Sequence, residues 1–291
     1  MDLPEFTYLE PKTIGEACVL LAEDPEGSAV LAGGTDILVN LKEGLASYRR
    51  LVSLRRIEGL ERIEFSAEQG LCIGAMATVN QVARHEAVRA HYPGIVDAAL
   101  SLAAEQVRNL ATVGGNLCSA VPSADMAPIL LAHGARMRAV SAAGERAIPL
   151  REFFTGPRAT VLRSAEVAVA IEVPLSAPGS GGASVRQGGR DSLALPLTAA
   201  AAVVTIERSV CRAATVALGA VAPTPIVAAT VGEFLVGKQL TDDVLEHAGK
   251  LAAAGARPIT DLRAGKAYRL ELVRVLTRRA LRTAAERAGR G

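Results

Sequence analysis

Short apolar runs separated by polar or glycine-containing breaks occupy residues 1–175, and their lengths predict short strands and helices. Strands are predicted at residues 29–31, 51–54, 62–66, 71–74, 136–140 and 165–173. Helices are predicted from a Thr13 capping box to about Leu21, at 36–42, from a Thr78 capping box to about Arg84, at 93–103, and from an Asp125 cap to Ala132. The irregular alternation of the two element types is typical of an α+β fold rather than of repeated βαβ units.

The segment from Pro174 to Gly182 is rich in proline, glycine and serine, and this composition predicts a linker. Beyond it, apolar runs at 199–206 and 212–218 predict paired strands. Helical periodicity predicts helices at 242–254 and 266–288. We therefore expect a separate compact unit after the linker.

Two similar glycine motifs are the strongest indication of a ligand site. In each, an apolar run leads into a Gly-Gly pair followed by short polar residues: Val30 to Ile37 contains Gly33-Gly34, and Leu110 to Asn116 contains Gly114-Gly115. Adjacent glycines permit a tight turn with positive φ and a close approach of the backbone to a ligand, so that main-chain N–H groups can hold phosphate. One Gly-Gly pair fits an ordinary turn equally well. Two of them suit a long ligand with two negative charges, such as a dinucleotide.

Other common cofactor signatures are missing from the sequence. No G-x-G-x-x-G follows a predicted strand and no G-x-x-x-x-G-K-[ST] occurs, which disfavours Rossmann and P-loop sites. Cys18, Cys72, Cys118 and Cys211 have no C-x-x-C spacing, so no zinc site or iron–sulfur cluster is predicted, and reduced thiols are expected. Cys118 follows the second glycine motif closely, so it either faces a ligand or is a small buried residue, which is the commoner role of a free cysteine.

Composition and charge argue against two classes of partner, nucleic acids and membranes. The chain has 291 residues, enough for two or three domains, and its 32 basic and 30 acidic residues give a net charge of +2, so no nucleic-acid partner is expected. No apolar stretch is long enough to span a membrane. The first residues carry acids and prolines where a signal peptide needs basic and then apolar residues, so a cytoplasmic location is expected.

Further motifs accompany the two glycine pairs along the chain. In order, the set is Ala32 to Asp36, Gln106 to Asn109, Thr112 to Asn116, Ser123 to Asp125, Phe154 to Pro157, Arg186 to Asp191, Val221 to Pro225, Ile259 to Arg263, and Tyr268-Arg269. This order and spacing resemble the FAD-binding medium subunit of molybdenum hydroxylases, the group of xanthine dehydrogenase and aerobic carbon monoxide dehydrogenase. The resemblance covers nearly the whole chain.

The resemblance implies an α+β fold in which a two-lobed FAD-binding domain of the p-cresol methylhydroxylase (PCMH) type precedes a small α+β C-terminal domain. The implied boundaries are 1–57 and 58–175 for the two lobes and 178–291 for the C-terminal domain. Both glycine motifs would surround the FAD diphosphate and ribityl chain, largely with main-chain N–H groups, and Asp125 would accept hydrogen bonds from hydroxyls. The implied cofactor-binding residues are Val30, Leu31, Ala32, Gly33, Gly34, Thr35, Asp36, Ile37, Leu102, Thr112, Val113, Gly114, Gly115, Asn116, Asp125, Ala168 and Arg186.

Two features qualify the expected mode of FAD binding. Arg186 stands where many family members have lysine, and a planar guanidinium differs in geometry from an ammonium. The histidines, namely His85, His91, His133 and His247, lie outside both glycine motifs, so noncovalent FAD is expected and each histidine is assigned a surface or structural role. No side chain is predicted to be catalytic and no metal site is predicted.

The resemblance also implies partners. The protein would be one oxidoreductase subunit of a heterotrimer, assembled as a dimer of heterotrimers with a small [2Fe–2S] subunit and a large molybdopterin subunit. Electrons from the clusters would pass through FAD to NAD⁺ or another acceptor. Two alternatives remain open: a stand-alone PCMH-type flavin oxidoreductase, which would turn over a substrate without partners, and a colourless non-flavin scaffold protein.

Overall fold

The computed structural model, which describes residues 3–190 and 193–289, begins with a three-stranded parallel sheet. Its strands are β1 (Thr7–Leu9), β2 (Ser28–Leu31) and β3 (Arg50–Ser53), in the order β1-β3-β2. Helix α1 (Ile14–Glu23) connects β1 to β2, and α2 (Ile37–Lys42) connects β2 to β3. Such crossovers are needed because parallel strands cannot be joined by a tight turn. The central strand β3 is the most buried, with Leu51 and Val52 fully inaccessible.

A five-stranded antiparallel sheet follows, in the order β4-β5-β10-β6-β7. Its strands are β4 (Ile63–Ser66), β5 (Gly70–Gly74), β6 (Arg136–Ser141), β7 (Gly144–Pro149) and β10 (Val167–Val173). The excursion between β5 and β6 is helical and contains α3 (Val79–Arg84), α4 (Glu86–His91), α5 (Pro93–Ser101), α6 (Glu105–Arg108), α7 (Val113–Cys118) and α8 (Ala127–Ala132). Between β7 and β10, helix α9 (Leu150–Phe153) leads into a small hairpin of β8 (Phe154–Gly156) and β9 (Ala159–Thr160).

The C-terminal part is a four-stranded antiparallel sheet covered by helices. Strands β11 (Ser180–Gly188), β12 (Pro196–Glu207), β13 (Val210–Gly219) and β14 (Ile226–Val227) lie in sequence order. Helices α10 (Ala229–Leu235), α11 (Asp242–Gly255) and α12 (Lys266–Ala288) follow them. Residues on the inner faces of β12 and β13, such as Ala202 and Val216, form one core with Leu276 and Leu281 of α12. The apolar face of α12, which its helical periodicity predicts, therefore covers this sheet.

Two predicted capping boxes differ in detail. At α3 the box is complete: Gln81 N–H donates to Thr78 Oγ1 at 3.2 Å, and Thr78 N–H donates to Gln81 Oε1 at 2.7 Å. At α1, Thr13 Oγ1 accepts from Glu16 N–H at 3.1 Å, but the Glu16 carboxylate accepts from the Lys12 N–H at 2.7 Å. Both starts satisfy N–H groups that the first helical turn leaves without partners.

The C-terminal sheet packs directly on the helices of the antiparallel sheet. Gly94 of α5 approaches β11 so closely that a Cβ there would lie 2.9 Å from the Ala183 nitrogen. The Arg287 guanidinium of α12 donates to both oxygens of Asp97, at 2.6 and 3.0 Å, and to the Gly182 carbonyl at 2.8 Å. The two regions therefore share an interface close to the segment that joins them.

The structure corrects two predictions near this interface. The predicted linker ends too late, because Ser180, Gly181 and Gly182 already belong to β11; a Cβ on Gly181 would lie 2.1 Å from the Ala284 carbonyl of α12. Asp125 does not cap α8, which begins after Met126, because its carboxylate is engaged elsewhere.

The α+β prediction is confirmed. The domain limits 1–57, 58–175 and 178–291 stay predictions, and Asp191 of the motif beginning at Arg186 lies outside the described residues. In the part of the chain that the structure describes, no helix combines the length and apolar character that a membrane crossing requires.

Candidate functional site

A cavity of about 570 Å³ lies where the two sheets of the N-terminal half meet the connection between β11 and β12 of the C-terminal sheet. Its wall combines the β2–α2 connection, helix α7 with its flanking loops, strand β10, and residues 193–195 that precede β12. This volume is ordinary for a small-molecule or cofactor site. All the predicted site residues line the cavity except Leu31, Val113 and Arg186.

The first glycine motif forms a true turn with free donors. Gly34 has φ +77°, a conformation that glycine adopts without strain. Among the described residues, the main-chain N–H groups of Gly33, Gly34, Thr35 and Asp36 have no hydrogen-bond acceptor. Consecutive free N–H groups on a cavity wall are rare in folded proteins and are suited to an anion.

The second glycine motif has a different structure from the predicted one. It is the first turn of α7, capped by Thr112, whose Oγ1 accepts from Gly115 N–H at 3.0 Å. Neither Gly114 nor Gly115 has positive φ, and the preceding apolar run is not a strand. The expectation of a left-handed glycine turn is therefore wrong at this motif.

The N–H groups of Val113 to Asn116 in this second motif are all used within the protein. Val113 donates to the Ala77 carbonyl at 3.0 Å, and Gly114 donates to the Ala75 carbonyl at 3.0 Å. Gly115 donates to the threonine cap, and Asn116 N–H donates to a main-chain carbonyl at 2.9 Å. The expectation that both motifs surround a ligand largely with N–H groups is corrected for Val113 to Asn116, because these residues can offer only side chains.

The two motifs nevertheless touch each other. A Cβ on Gly33 would lie 2.0 Å from the Leu110 carbonyl, so the first turn packs against the chain entering α7. A Cβ on Gly115 would lie 3.8 Å from the Cβ of Ala32. Both motifs therefore meet at the N-terminal end of α7 and face the same part of the cavity.

Asp125 and Arg186 form a buried ion pair beside the cavity. Arg186 Nη1 lies 3.0 Å from Asp125 Oδ1 and donates to the Ala194 carbonyl at 2.9 Å. The two side chains are only 9% and 11% exposed. Burial raises the pKa of Asp125 to about 6, and Arg186 partly offsets this effect, so the carboxylate is mainly ionised at neutral pH. Arg186 thus lies behind Asp125 and does not line the cavity. Its hydrogen bond to the Ala194 carbonyl holds that residue at the site.

The other two predicted residues outside the wall have structural positions. Leu31 ends β2 immediately before the first turn, and Val113, the first residue of α7, is fully buried. Leu102 and Ala168, which do line the cavity, contribute apolar surface. The Leu102 carbonyl accepts from Arg108 at 2.8 Å, so the 106–109 motif acts by holding this segment in place.

Several lining residues were missed by sequence reasoning. Tyr48 is a half-buried aromatic residue on the wall, and nothing in its local sequence indicates that role. Glu166 also lines the cavity; its carboxylate accepts from Arg146 at 2.6 and 2.8 Å and from the Arg163 N–H at 2.8 Å. Arg146 and these hydrogen bonds lower the pKa of Glu166 against the effect of burial. Strand alternation could have found it, since Glu166 and Ala168 are two positions apart.

Cys118 and the histidines provide no reactive group at the cavity. Cys118 lines the wall but is half-buried, and burial raises the pKa of its thiol to about 12, so it stays neutral. Within residues 3–190 and 193–289, no histidine lines the cavity and no cluster of metal-ligating side chains occurs. His133 is half-buried and packs edge-on against the Tyr92 ring, and burial lowers its pKa to about 4.

Two family models together match most of the chain. Residues 4–176 match the FAD binding domain in molybdopterin dehydrogenase, and residues 183–284 match the CO dehydrogenase flavoprotein C-terminal domain. Among curated relatives, the carbon monoxide dehydrogenase medium chain of Afipia carboxidovorans is 34% identical over 286 residues, covering 97% of this chain and 98% of that protein. A putative xanthine dehydrogenase FAD-binding subunit of Escherichia coli K12 is 30% identical over 284 residues, covering 97% of both chains.

Solved structures agree with these matches. A chain of the Cu,Mo-CO dehydrogenase in its cyanide-inactivated form superposes with a TM-score of 0.95 at 32% identity, covering 99% of this chain and 100% of that chain. A chain of quinoline 2-oxidoreductase from Pseudomonas putida 86 superposes with a TM-score of 0.93 at 32% identity, covering 99% of both chains. The similarity thus extends over both the cavity and the C-terminal sheet.

Proposed function

Because this chain belongs to the family of FAD-binding medium subunits of the molybdenum hydroxylases, we propose that its cavity holds one FAD noncovalently and that the protein serves as an electron-transfer subunit. The single observation that carries this proposal is the run of free N–H groups at Gly33 to Asp36 on the cavity wall. An anionic diphosphate provides the acceptors that these donors lack.

The residues present fit FAD in three respects. Gly33 and Gly34 put no side chain between the free N–H groups and the cavity. The ionised Asp125 is a hydrogen-bond acceptor that suits sugar or ribityl hydroxyls. Apolar wall residues such as Leu102 and Ala168 suit a flat ring system, either the flavin or the adenine.

The second motif contributes to binding through side chains. Thr112 and Asn116, together with Ser123 of the next motif, supply hydroxyl and amide groups on the same wall. Asn116 Oδ1 accepts from the Met126 N–H at 3.2 Å, which leaves its amide hydrogens directed to other acceptors. Val30, Ala32, Thr35 and Ile37 complete the surface around the first turn.

Arg186 acts indirectly in this proposal. It holds Asp125 ionised and fixes residues 193–195 against the cavity through the Ala194 carbonyl. We assign Arg186 this supporting role because it does not line the cavity, and Leu31 and Val113, which also lie off the wall, likewise support it from behind. Noncovalent binding is favoured because no described histidine lines the cavity.

FAD would supply the redox chemistry, since it exchanges electrons with one-electron and two-electron partners. The chain's own residues bind and orient the cofactor and exclude water from its buried part. We propose that electrons arrive from a small [2Fe–2S] subunit, served by a large molybdopterin subunit, and leave to NAD⁺ or another acceptor. The relatives named as medium chains support this arrangement, and a dimer of heterotrimers is the proposed assembly.

The test is the absorption spectrum of the purified chain before and after acid precipitation. We expect flavin bands whose colour moves to the supernatant as FAD, with iron and molybdenum present only when the chain is co-purified with partner subunits. Replacing Gly115 with valine places a branched side chain between Thr112 Oγ1, at 2.8 Å, and Ala32, and should abolish FAD retention without loss of far-ultraviolet circular dichroism.

The matched control is Gly255→Val, because a Cβ at that helix end meets nothing within 4 Å. It should retain FAD. A colourless wild-type chain that also refuses added FAD would establish the scaffold alternative, and turnover of a small substrate by the isolated chain would establish the stand-alone oxidoreductase. Colour that stays in the acid pellet would overturn noncovalent binding.

A further inference from the structure

Arg158 is the only basic side chain among the described residues that line the cavity. The acidic lining residues are Asp36, Asp125 and Glu166. Arg186 neutralises Asp125 and Arg146 neutralises Glu166, whereas Arg158 has no ion-pair or side-chain hydrogen-bond partner among the described residues. Its side chain is exposed, so it stands where the cavity opens to solvent. A free cation is therefore available to a ligand at this opening.

The backbone at Arg158 is held in a conformation that normally selects glycine. Arg158 has φ +59° and follows Pro157 at the tip of the β8–β9 hairpin, where Gly156 pairs with Ala159. Proline followed by a residue with positive φ is the pattern of a type II turn, whose third position favours glycine. An arginine at such a position is strained, and strained residues of this kind are concentrated at functional sites.

The hairpin tip is fixed to the end of α7. Arg158 N–H donates to the Ala120 carbonyl at 2.9 Å, and Ala120 itself has φ +46°. Two non-glycine residues in the left-handed region are thus joined by one hydrogen bond. This contact holds Arg158, which directly follows the Phe154 to Pro157 motif, at the cavity wall.

The position of Arg158 separates it from the glycine motifs. Gly33 and Gly115 meet at the N-terminal end of α7, whereas Ala120 lies just beyond its C-terminal end. A helix of six residues is about 9 Å long. An anion bound by the free N–H groups of the first turn is therefore at the opposite end of α7 from the anchor of Arg158.

We propose that Arg158 binds the anionic group of the external electron acceptor at the opening of the cavity. The proposal rests on the proposed FAD-binding function and adds the chemical class of the acceptor, a negatively charged molecule. An exposed cation beside a redox cofactor attracts anions over several ångströms and raises their rate of association. The same cation gives no advantage to a neutral acceptor.

The experiment compares two acceptors on the full chain loaded with FAD and reduced stoichiometrically with dithionite. Two ferricyanide ions each take one electron from the reduced flavin and become ferrocyanide, and the flavin releases its protons. One neutral 1,4-benzoquinone takes two electrons and two protons and becomes hydroquinone. Reoxidation is followed by stopped flow at low ionic strength for wild type and for Arg158→Gly, Arg158→Gln and Arg158→Lys.

We expect ferricyanide reoxidation to slow at least about fivefold in Arg158→Gly and Arg158→Gln and to recover in Arg158→Lys, with benzoquinone rates unchanged. Added salt should slow the ferricyanide reaction in wild type and should have less effect in the two uncharged variants. Arg158→Gly should melt at or above the wild-type temperature, because glycine relieves the backbone strain.

Three outcomes contradict the proposal, and each differs from a failure of the FAD assignment. Equal ferricyanide rates in all four proteins would show that Arg158 attracts no anionic acceptor. A tenfold loss of FAD affinity in Arg158→Gln would make the diphosphate of FAD its partner instead. Equal slowing with both acceptors would mean a structural role. Absence of flavin bands from the wild-type chain would instead overturn the proposed function itself.

Discussion

The two glycine motifs have the same appearance in sequence and opposite roles in the structure. The turn at Gly33-Gly34 leaves four consecutive N–H groups without acceptors in the described part of the chain and has one glycine at positive φ. The pair Gly114-Gly115 lies inside a helix, and its N–H groups all have acceptors within the protein. The first motif is suited to bind a ligand with its backbone, and the second brings backbone segments together.

The difference shows that a glycine in such a pair can be required for two reasons. Either a Cβ would collide with a neighbouring atom, or the backbone needs a positive φ, and both reasons can apply to one residue. At Gly114, a Cβ would lie 2.6 Å from the Ala75 carbonyl, so glycine is needed for close packing although its φ is ordinary. At Gly34, the nearest obstacle would be a flexible Leu38 side chain at 3.1 Å, so the main requirement is the positive φ. Each requirement predicts a different response to substitution by alanine.

The largest effect should come from Gly33→Ala. The added Cβ would lie 2.0 Å from the Leu110 carbonyl, a backbone atom that cannot rotate away, so the contact between the two motifs must open. We expect the free energy of unfolding to fall by about 3 kcal/mol or more, as in severe overpacking. Urea denaturation measures this value. Gly255→Ala, which meets nothing within 4 Å, should leave the midpoint nearly unchanged.

A smaller effect is expected for Gly34→Ala, which introduces backbone strain at φ +77° but little steric crowding. Alanine in the left-handed region costs about 1–2 kcal/mol. Gly44→Ala is the matched control, because Gly44 has φ +69° and a Cβ there would meet no atom within 4 Å. Thermal melting should show similar destabilisation in both variants, whereas FAD titration should show weaker binding only for Gly34→Ala. Equal FAD affinity in the two variants would contradict the role assigned to the first turn.

The smallest effect is expected from substitutions of the residues that precede helices α7 and α2, next to the two motifs. Thr112→Ala removes the side-chain acceptor of the Gly115 N–H and should cost about 1 kcal/mol, as is usual for an N-cap. Asp36 precedes α2 but makes no side-chain capping bond, so Asp36→Ala should change stability by less than about 0.5 kcal/mol. Denaturant midpoints of the two variants test the contrast. A larger loss in Asp36→Ala would show that its carboxylate does cap α2.

Sequence was sufficient to locate the cavity but not to assign its donors. Short-range signals such as Thr78 with Gln81, and the apolar periodicity of 266–288, predicted helices close to their observed limits. The helix at Val113 to Cys118 was missed because two glycines disfavour helix by about 1 kcal/mol each, and tertiary packing overrides that preference. Its N–H acceptors, the carbonyls of Ala75 and Ala77, lie far earlier in the chain and follow from packing alone.

Other parts of the site depend on pairings that no local pattern reveals. Asp125 was predicted as both a helix cap and a site residue, and its buried partner Arg186 lies 61 positions away on β11. Tyr48 and Arg158 reach the wall through loops, whose courses are set by tertiary contacts such as the hydrogen bond to Ala120. The resemblance to a family predicted which residues lie near the cavity. Only the structure distinguished the residues that line the cavity from those that support the lining residues from behind.

The wide spread of the wall residues along the chain has a consequence for biosynthesis. The cavity needs segments from Ala29 to Leu195, and the ion pair between Asp97 and Arg287 closes across 190 positions. A polypeptide emerging from the ribosome with its N-terminal segments first cannot complete this binding surface until the start of the C-terminal sheet has been made. Cofactor capture therefore belongs to a late stage of synthesis, and a truncated translation product that ends before residue 193 lacks part of the wall.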